Sequence, residues 1–394
     1  MKRSFIWLLS VMVALTSVAQ TERQTYDTIG KYYRSLISAD RVKLLSNVDL
    51  IANMQFAWNN NFEEGKYVKS SFAMNQFRLE IKGKVHEKVY FRFRDRYTRL
   101  PDPQSVDNIS RSTDLAFIRI DASPKWSFSF GKLCADWGGY EFDYNPIEIY
   151  EYNDIVEFAD NFLTGVQASW RVNPSHEFNF QALNSRTKSF EELYGSIPGV
   201  EEAKFPLALV ANWRGSFREG KFTTLWSYSS FLEAKNKKMH YLALGNQLSL
   251  DKVQITYDFK WSDEDIDRKT IVTDMVPDNL YPYAAEDVTY VEHWLQVKAR
   301  IAPKWTISAI GMVSDAYWAG NPDNSPGKDK HLRTAWGFIP SVEFYPFKNF
   351  NLYFFGSAIM RSYNYTDYAE TRFGQADFSR ARIQIGLISP LLVL

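Results

Sequence analysis

The segment VYFRFRDRY, Val89 to Tyr97, carries arginine at every second position: Arg92, Arg94 and Arg96, with Phe91, Phe93 and Tyr97 between them. Alternate side chains of a strand point to opposite faces, so the segment predicts a strand with one basic face and one largely aromatic face. Which face meets water depends on where that strand sits, and the rest of the chain decides it.

The chain opens MKRSFIWLLSVMVALTSVAQ: Lys2 and Arg3, an apolar run from Phe5 to Leu15, then Ser17-Val18-Ala19 as a small-residue cleavage site. That order predicts a secretory signal peptide over 1–19, with the exported chain starting at Gln20. The run is too short to span a bilayer, and no cysteine follows it to carry a lipid. Between residues 20 and 47, Ile29, Tyr33, Leu36 and Ile37 fall roughly on one helical face. This stretch is expected to be a short N-terminal periplasmic segment, either a helix or a flexible leader, ahead of a barrel domain over 48–394. A single cysteine, Cys134, leaves no disulfide framework. With 46 basic and 46 acidic residues the formal net charge is +0, which argues against a nucleic-acid partner. Beyond the leader no apolar run is long enough for a transmembrane helix. Yet the chain holds 29 Phe, 23 Tyr and 12 Trp. That combination suits an outer-membrane β-barrel, in which lipid-facing and lumen-facing residues alternate and cancel in any window average.

Alternating segments recur from Val48 onward. They predict strands at about 48–60, 68–85, 87–99, 113–123, 125–138, 163–173, 176–186, 207–217, 221–235, 238–250, 252–263, 287–302, 304–318, 332–347, 349–363 and 378–390. The even total of sixteen suits a bacterial single-chain barrel. Short connections, among them HEK (86–88), SPK (123–125), REGK (218–221), APK (302–304) and FKN (347–349), strictly interleave with long ones. Short inner turns and long outer loops of an up-and-down barrel produce that pattern, and a soluble all-β protein has no reason for it. In SPKWSFSFG and APKWTISAIG the same turn chemistry opens a strand, which places Trp126 and Trp305 at one membrane boundary.

The barrel orients the arginines. A cation facing lipid at the bilayer midplane costs about 2–4 kcal/mol, so three on one strand face would cost about 6–12 kcal/mol, comparable to a domain's whole stability. Phe91, Phe93 and Tyr97 are therefore expected to face lipid, and Arg92, Arg94 and Arg96 the lumen. Asp95 interrupts the apolar face close to the strand's outer end, where the penalty fades. FAMNQFRLEIKGK sets Phe77, Leu79 and Ile81 against Gln76, Arg78, Glu80 and Lys82, and FSRARIQIGL sets Ala381, Ile383, Ile385 and Leu387 against Arg380, Arg382 and Gln384. Closure of the last strand on the first would join Arg78, Lys82, Arg92, Arg94, Arg96, Arg380 and Arg382 into one basic wall. Arg171, Arg214, Lys260, Lys298 and Arg300 are further inward candidates, and such an interior reads as a water-filled channel rather than a packed core. The plainer alternative is a lumen face that is polar only because it is wet.

Between the fifth and sixth predicted strands, GGYEFDYNPIEIYEYNDIVEFADNF (Gly138–Phe162) carries Glu141, Asp143, Glu148, Glu151, Asp154, Glu157 and Asp160. It also carries bulky apolar residues, including Tyr140, Phe142, Ile147, Tyr150 and Phe158, which a solvated loop does not need. The segment is expected to fold into the barrel, narrow it, and set its carboxylates opposite the arginines, as charge rings do in selective pores. The alternative is an outer cap packed on itself or on a neighbouring subunit.

FGKLCADWGGYEFDYNPIEIYEYNDIVEFADNFLTGVQASW, Phe130 to Trp170, resembles the segment that marks the phosphate-selective porin O and P family, in its Bacteroidetes-type branch. The resemblance implies a sixteen-stranded, homotrimeric outer-membrane porin with its third loop folded inward. It also implies an arginine ladder at the constriction, to which Arg92, Arg94 and Arg96 would correspond. The lysine cluster of phosphate-specific members has no counterpart, because no Lys or Arg lies between Asp136 and Trp170. The C-terminal ISPLLVL departs from the usual aromatic end, and Pro390 is expected to interrupt strand pairing.

Enzymatic signals are weak. The histidines His86, His176, His240, His293 and His331 lack metal-ligand spacing. No G-x-S-x-G elbow or phosphate-cradling glycine loop occurs. His240 or His293 remains a formal candidate for a barrel-embedded hydrolase, and Asp143, Glu148 and Glu151 for an irregular calcium site. The expectation is thus an all-β, 16-stranded antiparallel transmembrane barrel with an inward-folded third loop. It would sit in the bacterial outer membrane as a non-enzymatic channel for small hydrophilic solutes, with no cofactor. The alternatives are an anion- or phosphate-selective channel and, from another class, a surface adhesin or scaffold.

Overall fold

The computed structural model describes residues 47–323 and 331–393; the expected signal peptide and the segment from 20 to 46 lie outside the described residues. The strands are β1 (Val48–Glu63), β2 (Lys66–His86), β3 (Val89–Arg96), β4 (Thr113–Asp121), β5 (Trp126–Cys134), β6 (Phe162–Asn173), β7 (His176–Asn184) and β8 (Leu207–Phe217). They continue with β9 (Phe222–Ala234), β10 (Lys237–Ser249), β11 (Val253–Glu264), β12 (Val288–Ala302), β13 (Trp305–Trp318), β14 (His331–Phe344), β15 (Tyr353–Tyr365) and β16 (Phe378–Leu392). Each pairs antiparallel with the next, and β16 pairs with β1 to close the barrel. The long connections carry short helices: α1 (Tyr140–Asp143), α2 (Asp154–Phe158), α3 (Phe190–Tyr194), α4 (Ile271–Met275) and α5 (Asp367–Phe373).

Strand number and order match the alternation of the sequence. The largest boundary differences are local. Strand β5 ends at Cys134 rather than 138, because the chain leaves the wall in a turn at Asp136 and Trp137 and runs inward through Gly138 and Gly139. A Cβ on these glycines would meet the Phe142 side chain at 2.3 Å and the Asp258 carboxylate at 2.6 Å, so only glycine permits this path.

The two faces separate as the membrane requires. Phe93, Ile118, Phe130, Phe180, Leu209, Leu295, Ile307, Phe338 and Ile385 are exposed on the outside, while Gln55, Glu80, Arg94, Asn179, Asn212, Asp258, Glu292 and Gln384 are buried within. At the short-turn end Trp126 and Trp305 are exposed. Trp126 stacks on Trp170 at 5.8 Å, and the row continues through Phe178 to Trp213. The amphipathic rings thus form one side of an interfacial girdle. Asp95, on the outer face, accepts hydrogen bonds from the Ser112 and Thr113 hydroxyls rather than meeting lipid bare.

Two expectations are corrected. First, part of the interior is a packed core. Trp137, Ile155, Val156, Tyr241, Val272, Met275, Trp318 and Phe373 form one buried apolar cluster, built from strands and from residues of the inner connection, α4 and α5. Only the remaining sector is open. Second, Pro390 does not stop pairing, since it sits opposite Asn53 and the β1 ladder continues to Leu392. Val393 N donates to Leu50 O, so with the two-residue period it is the odd-numbered residues of β16 that bond β1. Pro390 faces β15, whose ladder has already ended at Ile388, and its missing N–H is therefore harmless.

Closure also depends on Gly386, where a Cβ would approach the Phe56 carbonyl oxygen to 2.1 Å. Gly386→Val is expected to lower the temperature at which the folded band converts to the unfolded band on a detergent gel. The cost is about 1–3 kcal/mol, the usual scale of overpacking.

Candidate functional site

The arginine ladder is organised by an acid that strand periodicity misplaces. By alternation Asp114 shares the face of Ala116, Ile118 and Ile120, of which the two isoleucines are exposed to lipid. A bulge intervenes: Arg94 pairs with Leu115 and Asp95 with Thr113, leaving Asp114 as the extra residue. Bulges re-aim side chains, and this one turns Asp114 into the barrel, where it is 0% exposed. Three guanidiniums converge on it: Arg96 at 2.6 Å, Arg78 at 2.9 Å and Arg94 at 3.3 Å. Arg78 reaches it because it lies in register with Arg96 across the β2–β3 ladder. Arg92 binds Glu80 at 2.8 Å. The guanidinium carbons of Arg94 and Arg96 lie 5.2 and 5.9 Å from the centre of the Phe162 ring.

The connection from Gly138 to Phe162 lies against the opposite wall. The Tyr140 and Glu141 amides donate to the Asp258 carboxylate at 3.0 and 2.7 Å. Glu141 accepts from Asn153 N at 2.6 Å and is paired with Lys260. Glu292 accepts from Ile155 N at 2.6 Å, and Gln55 donates to Ile147 O at 3.0 Å. Asp154 sits between Arg333 and Arg361, the latter at 2.8 Å. Glu151 accepts from Arg380 at 3.0 Å and Arg382 at 3.3 Å. These partners come from lumen-facing positions of β1, β11, β12, β14, β15 and β16, so the segment occupies the lumen beside that wall. Ile147 and Tyr150 pack with Trp294, Ile310, Ile339, Phe355 and Ile388.

The candidate residues therefore divide into two groups. Arg78, Arg92, Arg94 and Arg96, with Asp143, Glu148, Glu157 and Asp160 from the connection, line one cavity of about 1700 Å³. Lys82, Arg380 and Arg382, with Glu141, Glu151 and Asp154, are not among its lining residues. The contiguous basic wall is thus corrected. Arg78 lies opposite Asn53 of β1 and Arg382 opposite Asn61, about 26 Å apart along the strand at roughly 3.3 Å per residue. The ladder's closest carboxylates are Asp114 and Glu80, not the acidic connection. Arg380 and Arg382 anchor that connection instead. Arg214, another lining residue, bridges Asp136 at 3.0 Å and Asp143 at 2.9 Å. Burial raises the pKa of Asp136 while the Arg214 charge opposes the shift.

The cavity opens among the short turns at Lys88, Pro124, Ser175 and Gly220 and reaches Arg99, Arg111 and Thr187 near the long loops. Among the described residues, thirteen lysine and arginine side chains line it against nine aspartates and glutamates. His240 and His293 lie outward, hydrogen-bonded to Tyr228 and Tyr257 at 2.8 Å, away from the lumen acids. Among the described residues no three His, Cys, Asp or Glu side chains form a metal-ligand group.

A family model described as Phosphate-selective porin O and P matches residues 48–388. No curated protein matches the chain. Among solved structures, the chain resembles the outer membrane channel DcaP of Acinetobacter baumannii with a TM-score of 0.56 at 12% identity, covering 86% of this chain and 96% of that one. It resembles OprB of Pseudomonas putida with a TM-score of 0.54 at 12% identity, covering 89% and 96%. It resembles Salmonella typhi OmpF, solved with daunomycin, with a TM-score of 0.53 at 13% identity, covering 86% and 98%. At these identities the likeness is one of fold, and family and fold together point to a channel.

Asp154→Ala leaves Arg333 and Arg361 without their shared carboxylate, and breaking a buried pair from one side costs about 3–5 kcal/mol. The inner connection is expected to detach while the barrel persists. Limited proteolysis should then cut between residues 138 and 162 in the folded variant and leave the parent protein intact there.

Proposed function

The chain belongs to the phosphate-selective porin O and P family, and from that membership we propose how its lumen sorts the solutes that cross it. It is a bacterial outer-membrane porin, a passive diffusion channel for small hydrophilic solutes. The solute path is the cavity between the ladder and the inner connection. Its width is set by the connection's position against β11–β16, and its charge preference by the lining. The carrying observation is the lining's excess of basic side chains among the described residues, thirteen against nine, Arg78, Arg92, Arg94 and Arg96 among them. A path so lined is mixed in charge and leans toward anions, because like charge is repelled and opposite charge concentrated where water is confined. Strict phosphate selectivity is not part of this reading, since the inner connection contributes carboxylates and no lysine or arginine.

Three further parts of the proposal rest on sequence and family resemblance. The 1–19 leader directs export, three copies assemble in the membrane, and the barrel has no catalytic role. Native mass measurement in detergent is expected to give three chains per particle.

The decisive test is electrical. Replacing Arg92, Arg94 and Arg96 together with Ala should move the reversal potential under a potassium chloride gradient toward that of a cation-preferring pore. An unchanged potential would remove these side chains from the path.

A further inference from the structure

The cavity beside the ladder is only partly polar, and Phe117 stands next to Arg92 in the β3–β4 pairing. Phe117, Phe142, Tyr152 and Phe162 line the same cavity as the arginines, and each is partly exposed rather than sealed in the core. They are firmly backed: Phe117, Phe142 and Tyr152 pack on the buried apolar cluster, and Phe142 lies 4.8 Å from Trp137. Rings held in this way present a fixed apolar surface to the solute. Phe162 joins the two halves of the chamber, because Arg94 and Arg96 stand over its ring. On the cation side, Arg92 and Arg96 keep part of their guanidinium surface open to the cavity, their side chains being 33% and 18% exposed.

A bare inorganic anion matches this chamber poorly. Phosphate carries oxygens on every side, and those turned to the aromatic wall would lose water without gaining donors. A carboxylate on a flat apolar body matches it better. Its two oxygens lie on one edge and suit the planar fork of an arginine. Its other end buries apolar area and stacks on a ring. We propose that this chamber selects amphiphilic monocarboxylates, aromatic carboxylates above all, over inorganic anions and short aliphatic acids. The proposal rests on the reading of this cavity as the solute path.

The test measures chloride current through the full-length protein in a planar bilayer while benzoate, acetate or phosphate is added. Benzoate should halve the current at a concentration about tenfold below that of acetate or phosphate. Phe162→Ala should raise the benzoate concentration needed by about two- to tenfold, the scale of one lost aromatic pair, and leave acetate unchanged. Heat-modifiable gel migration checks that this variant folds, and the ranking in the parent protein does not depend on it. If phosphate or acetate blocks as well as benzoate does, the substrate class is overturned while the channel remains. If no current flows at all, the solute path itself is wrong and both proposals fall.

Discussion

Everything in this molecule depends on the closure of the β1–β16 ladder. Hydrocarbon offers no partner to a backbone N–H or C=O, so a sheet can cross a membrane only when it has no edge. The thirteen-residue register from Ile51–Leu392 to Glu63–Arg380 supplies that closure. It tolerates Pro390 only because the proline's missing donor points past the end of β15. It tolerates the tight approach at Gly386 only because that residue has no side chain.

Closure creates an interior, and the interior then poses its own problem. Sixteen strands enclose more space than wall side chains can fill. The chain occupies part of that space with its own connections, whose apolar residues make a core with Trp294, Trp318 and Tyr290. Charged side chains at the boundary fasten the connections to the wall. Asp154 with Arg333 and Arg361, and Glu141 with Lys260, are buried pairs, so each is far more costly to break than to leave out of a design. Their role is to hold one position of the inner connection, and the width of the remaining cavity follows from that position.

The remaining cavity has unlike walls. Four arginines are gathered by Asp114 and Glu80, with the rings of Phe117 and Phe162 beside them; the inner connection adds Phe142, Tyr152 and the carboxylates Glu148, Glu157 and Asp160. Confined water and apolar surroundings make such groups act more strongly than they would in bulk solvent. The proposed discrimination among solutes rests on this juxtaposition of ring and charge.

The sequence by itself determined the sixteen-strand barrel and the face each strand turns to lipid. Alternation at period two and interleaved short and long turns are local signals, and the cost of a charge in hydrocarbon leaves one solution, as at Phe93 against Arg94. Two features went beyond that reach. The inward turn of Asp114 comes from a one-residue bulge, which reverses the face that alternation assigns and carries no composition of its own. The division of the loop acids came only with tertiary structure: Glu141, Glu151 and Asp154 bind the far wall, Glu148 and Glu157 line the cavity, and Asp160 lines it while pairing with Arg268. Residues a few positions apart in one loop carry the same charge and the same local propensity. Which of them meets an arginine depends on strands more than a hundred residues away, and only the closed barrel brings those strands within reach.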